Sequence, residues 1–191
     1  DGWKFIAGRE VLDKEAFLKK PWVATVPLRV FEKRVFEEKK CEVVESKVSV
    51  EKPKAVAIES RKKEAGAPLE LARVIVSAGA GVKNREDLKM LEELAQLLDG
   101  QVGCSRPLSA DYGWFPEWIG LSGKKVKPDA YIACGISGQI QHIAGIRDSK
   151  VVIAINSDPN APIFKVCDYG VVGDLYQVVP ALIELLKKRK K

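Results

Sequence analysis

The segment CGISGQIQHIAG, residues 134–145, holds residue types with which a chain can bind a polar ligand. It contains His142, the only histidine of the sequence, and two glycines, Gly135 and Gly138, that allow a tight turn close to a ligand. A lone histidine is more often packed or solvated than functional, so both interpretations stay open on this residue alone. The G-x-S-x-G spacing of a nucleophile elbow is absent, and we expect no catalytic residue here.

We expect a helix to begin at Ser137, directly after the glycine turn. Its free N–H groups would point outward, an arrangement that suits phosphate. Ser137, Gln141 and His142 would then lie on one side of this helix, with Gln139 rotated away. The segment therefore predicts a ligand site at a strand-to-helix turn.

Three other turns carry polar side chains. Ser105 and Arg106 follow a short apolar run, Ser122 lies between glycines in GLSGK, and Asn156 follows VVIAI. The long stretch between the first two turns has several glycines, prolines and aromatic residues, and a loop of this length in a compact domain is usually functional. The alternative is a packed surface loop anchored by Trp114, Phe115 and Trp118.

The elements that must position these turns read as alternating strands and helices. Strands are predicted in RVIVSAGAGV, QVGCS, AYIACG, KVVIAIN and YGVVG, and helices in NREDLKMLEELAQLLDG, SGQIQHIAG and DLYQVVPALIELLKK. Asn84 would cap the first helix and Gly100 would end it. Apolar strands without alternation predict an α/β fold, a parallel sheet covered by helices on both faces. In such a sheet, ligands bind beyond the carboxyl ends of the strands, where these turns fall.

The first third of the chain has a different composition. It is rich in Lys, Glu and Val, and WVATVPLRVF and CEVVESKVSVE alternate apolar and polar residues like strands with one solvated face. We therefore expect a partial β-rich segment over residues 1–65, followed by one α/β domain over residues 66–191.

Composition limits the partners. The net charge is +6, and the tail LLKKRKK could hold nucleic acid or an anionic membrane. No aromatic residues interleave with this charge, so we favour a solvated helix end and expect no nucleic-acid partner. No apolar run approaches the roughly 20 residues of a membrane span. The four cysteines lack zinc-type spacing, so we expect no metal site and reduced thiols in a cytoplasmic protein.

Five pieces in sequence order resemble a known family. They are RVIVSAGAGV, GCSRPLSAD, GLSGKKVKPDAYIACGISGQIQHIAGIRDSK, VVIAINSDPNAPIFKVCDYGVVGDL and VVPALIELLKK, and they cover roughly residues 70–188. This part of the chain resembles the alpha subunit of electron transfer flavoprotein. VATVPLRVFEK resembles the last strands of that family's N-terminal domain, so residues 1–65 are expected to be its end, with its beginning absent or shortened.

The resemblance implies a Rossmann-like domain that binds FAD. Ser105 and Arg106 match a pair near the isoalloxazine ring, where Arg106 would stabilise the anionic reduced forms of the flavin. Ser122 matches a hydroxyl group that faces flavin N5. His142 would lie beside the pyrimidine carbonyl as a hydrogen-bond donor and partial positive charge. The other implied cofactor-binding residues are Ile119, Gly120 and Leu121 near Ser122; Ser137, Gly138, Gln139, Ile140 and Gln141 near His142; and Asn156, Asp174 and Leu175 around the adenosine.

One departure from the family pattern concerns charge. Relatives usually carry an arginine that contacts FAD at the position of Ala80, so we expect weaker binding or altered flavin electrostatics.

The resemblance implies an electron carrier rather than an enzyme. It would form a heterodimer with a beta subunit, accept electrons from flavin dehydrogenases and pass them to an acceptor such as a quinone reductase. Whether it acts in a bifurcating complex depends on the partner chain and stays open. Two alternatives remain: a Rossmann-like domain that binds NAD in an enzyme or regulator, and a scaffold that has lost its cofactor.

Overall fold

The computed structural model describes residues 68–189, together with 2–5, 12–15, 20 and 44–45. Two short strands, β1 (Gly2–Phe5) and β2 (Leu12–Glu15), pair antiparallel near the start of the chain. The strands expected in WVATVPLRVF and CEVVESKVSVE lie outside the described residues, except for Val44 and Glu45, which are not in a strand. The assignment of residues 1–65 therefore stays a prediction.

A five-stranded parallel sheet forms the centre of the described domain. Its strand order is β4-β3-β5-β6-β7, with β3 between the strands that follow it in sequence. The α/β fold and all five predicted strands are confirmed. The strands are β3 (Val74–Ala78), β4 (Gln101–Cys104), β5 (Ala130–Cys134), β6 (Val151–Asn156) and β7 (Tyr169–Val172).

Helices cover both faces of this sheet. On one face, α1 (Leu88–Leu97) and α3 (Leu175–Arg189) pack with Val76 of β3 in one buried cluster. On the other face, α2 (Ile140–Ile146) packs with Ile75 in a second cluster. Because neighbouring residues of β3 face opposite cores, the strand reads as a continuous apolar run.

The start of α1 follows the expectation and its end does not. Asn84 precedes a 3₁₀ turn that leads into the helix, and its backbone N–H donates to the Asp87 carboxylate at 3.1 Å. Gly100 was expected to end the helix, but Asp99 takes the left-handed conformation there, with φ of 50°. Gly100 instead packs closely against Val74. A Cβ added to Gly100 would lie 2.7 Å from the Val74 carbonyl oxygen, which is too close for a side chain.

The expected start of α2 is wrong by three residues. The helix begins at Ile140, and Gln139 before it is extended. Gly138 has φ of 83°, and the Ile163 N–H donates to the Ser137 carbonyl at 3.0 Å. These contacts hold residues 135–139 as a turn, so Ser137 precedes the helix rather than lying on its surface.

Helix α3 continues past Pro180 to Arg189. The three basic residues of its last turn suit the negative end of the helix dipole. Lys187 among them pairs with Glu93 of α1. The helix-end interpretation of the basic tail is therefore supported as far as residue 189.

Candidate functional site

A cavity of about 730 Å³ opens at the carboxyl ends of the parallel strands. Residues that follow each of the five strands contribute to its wall. At this edge, β3 and β5 are neighbours, but the chain continues from β3 outward to β4 on one side and from β5 outward to β6 and β7 on the other. Such a change in strand order is the usual ligand site of an open α/β sheet. The cavity therefore lies where the strand-end rule places a ligand site.

Most of the predicted site residues line this cavity. Two do not: Gly138 packs against the Ile163 backbone, and the Ile140 side chain is 80% exposed. Gln139, which we expected to be rotated away, does line it. Cofactor binding by any of the predicted site residues stays a prediction. The predicted residues in the wall are Ser105, Arg106, Ile119, Gly120, Leu121, Ser122, Ser137, Gln139, Gln141, His142, Asn156, Asp174 and Leu175.

Nine further wall residues were not among the predicted cofactor-binding residues, although sequence reasoning had put Gly135 close to a ligand and Ala80 at a position that contacts FAD in relatives. Ala80 and Gly135 belong to turns that it had already singled out, so the strand-end rule could have included their neighbours. Tyr176 comes from the first turn of α3 and carried no such signal. The added residues are Ala80, Gly81, Lys83, Pro107, Trp118, Gly135, Ile136, Ser157 and Tyr176.

Two glycine turns meet at the centre of the wall. The N–H groups of Gly79 and Gly81 donate to the carbonyls of Cys134 and Gly135 at 2.9 and 3.0 Å. A Cβ on Gly79 would lie 2.2 Å from the Gly135 oxygen. The close approach requires glycine, and it leaves the backbone of Gly81 and Gly135 in the cavity wall.

The long loop after β4 lies against both the sheet and α2. Its Ile119 N–H donates to Cys104 at 2.9 Å, and its Leu121 N–H donates to Gln141 at 2.7 Å. Trp114 and Trp118 pack on the core cluster below, as the surface-loop alternative expects. The same loop also lines the cavity, so its packing agrees with the surface-loop alternative and its function in the site stays a prediction.

His142 is buried in the wall with 6% of its surface exposed. Its Nε2 lies 2.9 Å from the hydroxyl oxygen of Tyr131, a fully buried residue of β5. Burial lowers the pKa of His142 to about 4, against a smaller opposing effect of a backbone hydrogen bond with Ile119. The expected partial positive charge is therefore disfavoured, because an imidazole with this pKa is neutral near pH 7.

Lys83 and Tyr176 form a second group in the wall. The Lys83 N–H donates to the Tyr176 hydroxyl oxygen at 2.8 Å, and this hydroxyl donates to Asp87 at 2.7 Å. The Lys83 ammonium lies 5.5 Å from the centre of the Tyr176 ring. These contacts join the turn after β3 to the start of α3.

Asn156 and Asp174 also form contacts within the protein. The Asn156 amide donates to the Ile136 carbonyl at 2.9 Å and accepts from the Asp158 N–H at 2.9 Å. Asp174 accepts the Tyr176 N–H at 3.0 Å, next to the start of α3. Both side chains therefore position the wall, whatever they contact in a ligand.

Among the described residues, no cluster of His, Cys, Asp or Glu could hold a metal ion. The cysteines at 104, 134 and 167 are free, and burial raises the pKa of Cys104 and of Cys134 to about 12. Those two thiols stay protonated and unreactive. Within the same part of the chain, no helix is long and apolar enough to cross a membrane.

A family model described as the electron transfer flavoprotein FAD-binding domain matches residues 68–147. The match begins where the described domain begins and includes the turns after β3, β4 and β5 that line the cavity. Residues 68–147 of the described domain therefore belong to the electron transfer flavoprotein FAD-binding domain family.

Three similar proteins align with between 64% and 88% of the chain. The chain is 54% identical over 124 residues to an electron transfer flavoprotein subunit alpha of Bacillus subtilis, covering 64% of this chain and 38% of the relative. It is 55% identical over 131 residues to a mitochondrial alpha subunit of Dictyostelium discoideum, covering 68% and 37%. It is 43% identical over 175 residues to Protein FixB of Clostridium saccharobutylicum, covering 88% and 52%. The chain thus spans between a third and about half of the length of these relatives.

The cavity fits the FAD that this domain family binds. Its volume lies within the roughly 300–1,000 Å³ that is usual for cofactor sites. Hydroxyl, amide and glycine backbone groups suit the sugar and phosphate parts, and Trp118, Ile136 and Leu175 offer apolar surface for rings. The Nδ1 atom of His142 is buried without a hydrogen-bond partner that meets the usual limits among the described residues. An unpaired polar atom on a residue of the wall is a group that a ligand can satisfy.

Proposed function

We propose that this chain is the FAD-carrying alpha subunit of an electron transfer flavoprotein and that it carries electrons without converting a substrate of its own. The cavity at the strand ends is the observation that supports this most, because it combines the size, the polar groups and the glycine turns that a dinucleotide cofactor needs. The residues matched by the family model supply much of its wall.

Bound FAD would supply reversible redox chemistry, and the chain would supply binding, orientation and electrostatics. Among the described residues of the wall, the cations are Lys83 and Arg106. Arg106 would offset negative charge at the isoalloxazine ring, because its guanidinium group stays protonated. Ser105 and Ser122 would orient the ring through their hydroxyl groups.

The partners belong to the same proposal. A beta subunit would complete a heterodimer, flavin dehydrogenases would donate electrons, and a quinone reductase or similar protein would accept them. Residues 66–191 would form the FAD domain, and residues 1–65 would be the end of the N-terminal domain. Placement in the cytoplasm stays a prediction from cysteine usage.

The test is to load the chain with FAD, add a beta subunit, and mix the complex with a substrate-reduced flavin dehydrogenase. We expect the visible absorbance of the bound flavin to bleach and to return when a quinone reductase is added. A complex that binds FAD yet accepts no electrons from any such dehydrogenase would contradict the carrier function.

Replacing Arg106 tests the electrostatic part of the proposal. Arg106→Gln should lower the two-electron midpoint potential of bound FAD by roughly 30 mV, the equivalent of about 1.4 kcal/mol, because a cation near the ring favours its reduced anion. Lys89→Gln removes an exposed cation of α1 that does not line the cavity and serves as the control. Equal potentials in Arg106→Gln and the control would show that Arg106 does not act on the flavin.

A further inference from the structure

The phenol hydroxyl of Tyr131 lies within hydrogen-bond distance of a side chain of the cavity wall. Tyr131 lies on β5 with no exposed surface, and its hydroxyl oxygen is 2.9 Å from Nε2 of His142. Burial raises the pKa of Tyr131 above its usual range. The phenol therefore keeps its proton and has it available to donate.

The imidazole nitrogen is the better acceptor for that proton. Ser77 is fully buried on the same face of the sheet, but its hydroxyl oxygen has no hydrogen-bond partner within the usual limits among the described residues, whereas Nε2 of His142 lies 2.9 Å from the phenol oxygen. An unprotonated imidazole nitrogen accepts strongly and offers one lone pair. If Tyr131 donates to Nε2, the single proton of a neutral imidazole must be on Nδ1.

The surroundings of Nδ1 agree with this direction. A backbone hydrogen bond with Ile119 raises the pKa of His142, so this backbone group acts as an acceptor toward the ring. Nδ1 still lacks a hydrogen bond that meets the usual limits among the described residues. With Nε2 accepting from Tyr131, Nδ1 is the ring nitrogen whose N–H can donate to an acceptor of the protein or of a ligand.

We propose that Tyr131 is a positioning residue that donates to Nε2 and holds His142 as the neutral imidazole with its proton on Nδ1. In the FAD site of the proposed function, on which this consequence rests, His142 then contributes an N–H dipole and no net charge. The positive charge of the described cavity wall comes from Lys83 and Arg106 instead.

The single histidine makes the test direct. The full chain, labelled with ¹⁵N-histidine and free of FAD, gives one imidazole spin system in a long-range ¹H–¹⁵N spectrum at pH 7. We expect Nδ1 to appear protonated and Nε2 to appear as an unprotonated acceptor. A protonated Nε2, or an imidazolium ring, would overturn the proposal with no mutation needed.

Two variants separate positioning from general packing. Tyr131→Phe keeps the buried ring and should lose the single tautomer, with both nitrogen signals moving toward an exchange average. Ser77→Ala removes another buried hydroxyl on the same face of the sheet and should keep the Nδ1-protonated form. An unchanged tautomer in folded Tyr131→Phe would contradict the role of the phenol.

Adding FAD distinguishes this proposal from the proposed function. Because the tautomer is measured in the FAD-free chain, failure of FAD to bind would contradict the proposed function and leave the tautomer result in force. FAD binding to a chain whose Nε2 is protonated would contradict the tautomer proposal and leave the proposed function in force.

Discussion

Lys83 is the residue whose role in the site is most open to a direct test. It follows β3 at the point where the chain reverses direction across the sheet, and its backbone is fixed by the Tyr176 hydroxyl. Phosphate groups bind at such turns in open α/β sheets. Ala80 brings no charge to the same turn. We therefore infer that Lys83 interacts with the phosphates of FAD rather than with its ring.

Lys83→Gln should lower the affinity for FAD and the affinity for ADP by about tenfold each, which corresponds to about 1.4 kcal/mol of binding free energy. Riboflavin, which lacks phosphate, should bind the variant and the unmodified chain equally. Calorimetric titration with the three ligands measures the difference. Lys89→Gln is the matched control, and a loss of riboflavin affinity in Lys83→Gln would assign this lysine to the ring instead.

At the scale of elements, α2 and the long loop form one wall through backbone contact. A Cβ on Gly145 would lie 2.6 Å from both N and Cα of Gly120. The Val126 N–H donates to the Gly145 carbonyl at 2.9 Å. Gly120 and Leu121 line the cavity, so the distance between α2 and the loop determines part of its shape.

Gly145→Ala should therefore reduce both stability and FAD affinity. Overpacking of this kind costs about 1–3 kcal/mol, and the displaced loop moves the residues beside Ser122. Urea unfolding and FAD titration of the same preparation measure the two effects. A variant with lower stability and unchanged FAD affinity would show that this wall does not shape the cofactor site.

A second contact between elements lies at the opposite edge of the sheet. Asp129, before β5, accepts from Arg73 before β3 at 2.8 Å and pairs with Lys150 before β6 at 2.9 Å. These two cations, Arg73 first, lower the pKa of Asp129 from 3.8 to about 2. The carboxylate thus links the starts of three neighbouring strands.

This pairing predicts an acid-dependent contribution to stability. Because the folded pKa is lowered, the contribution is complete above about pH 4 and is lost as the pH falls toward about 2. Asp129→Asn should melt below the unmodified chain at pH 7, and the two melting temperatures should converge near pH 2. Asp111→Asn, at an exposed carboxylate after β4, is the control. A difference that persists unchanged at pH 2 would contradict the ionic explanation.

For the molecule as a whole, the fold and the location of the cavity were predictable from particular residues. The runs at Val74 and Val151 read as strands buried on both faces, and a parallel sheet places their polar turns at one edge. The start of α2 was not predictable, because the left-handed Gly138 depends on packing against Ile163. The pairing of Tyr131 with His142 was missed since it joins a strand to a helix eleven positions later through the core.

The central claim is that the cavity binds FAD, and the most direct measurement is a titration of the purified chain with FAD and separately with NAD, followed by thermal unfolding. We expect FAD to bind with a shift of its visible absorption bands. We also expect it to raise the melting temperature, since saturation at a hundred times Kd stabilises a protein by about 2.7 kcal/mol. NAD should do neither. Absence of FAD binding even with a beta subunit present, or tight NAD binding in its place, would contradict the account.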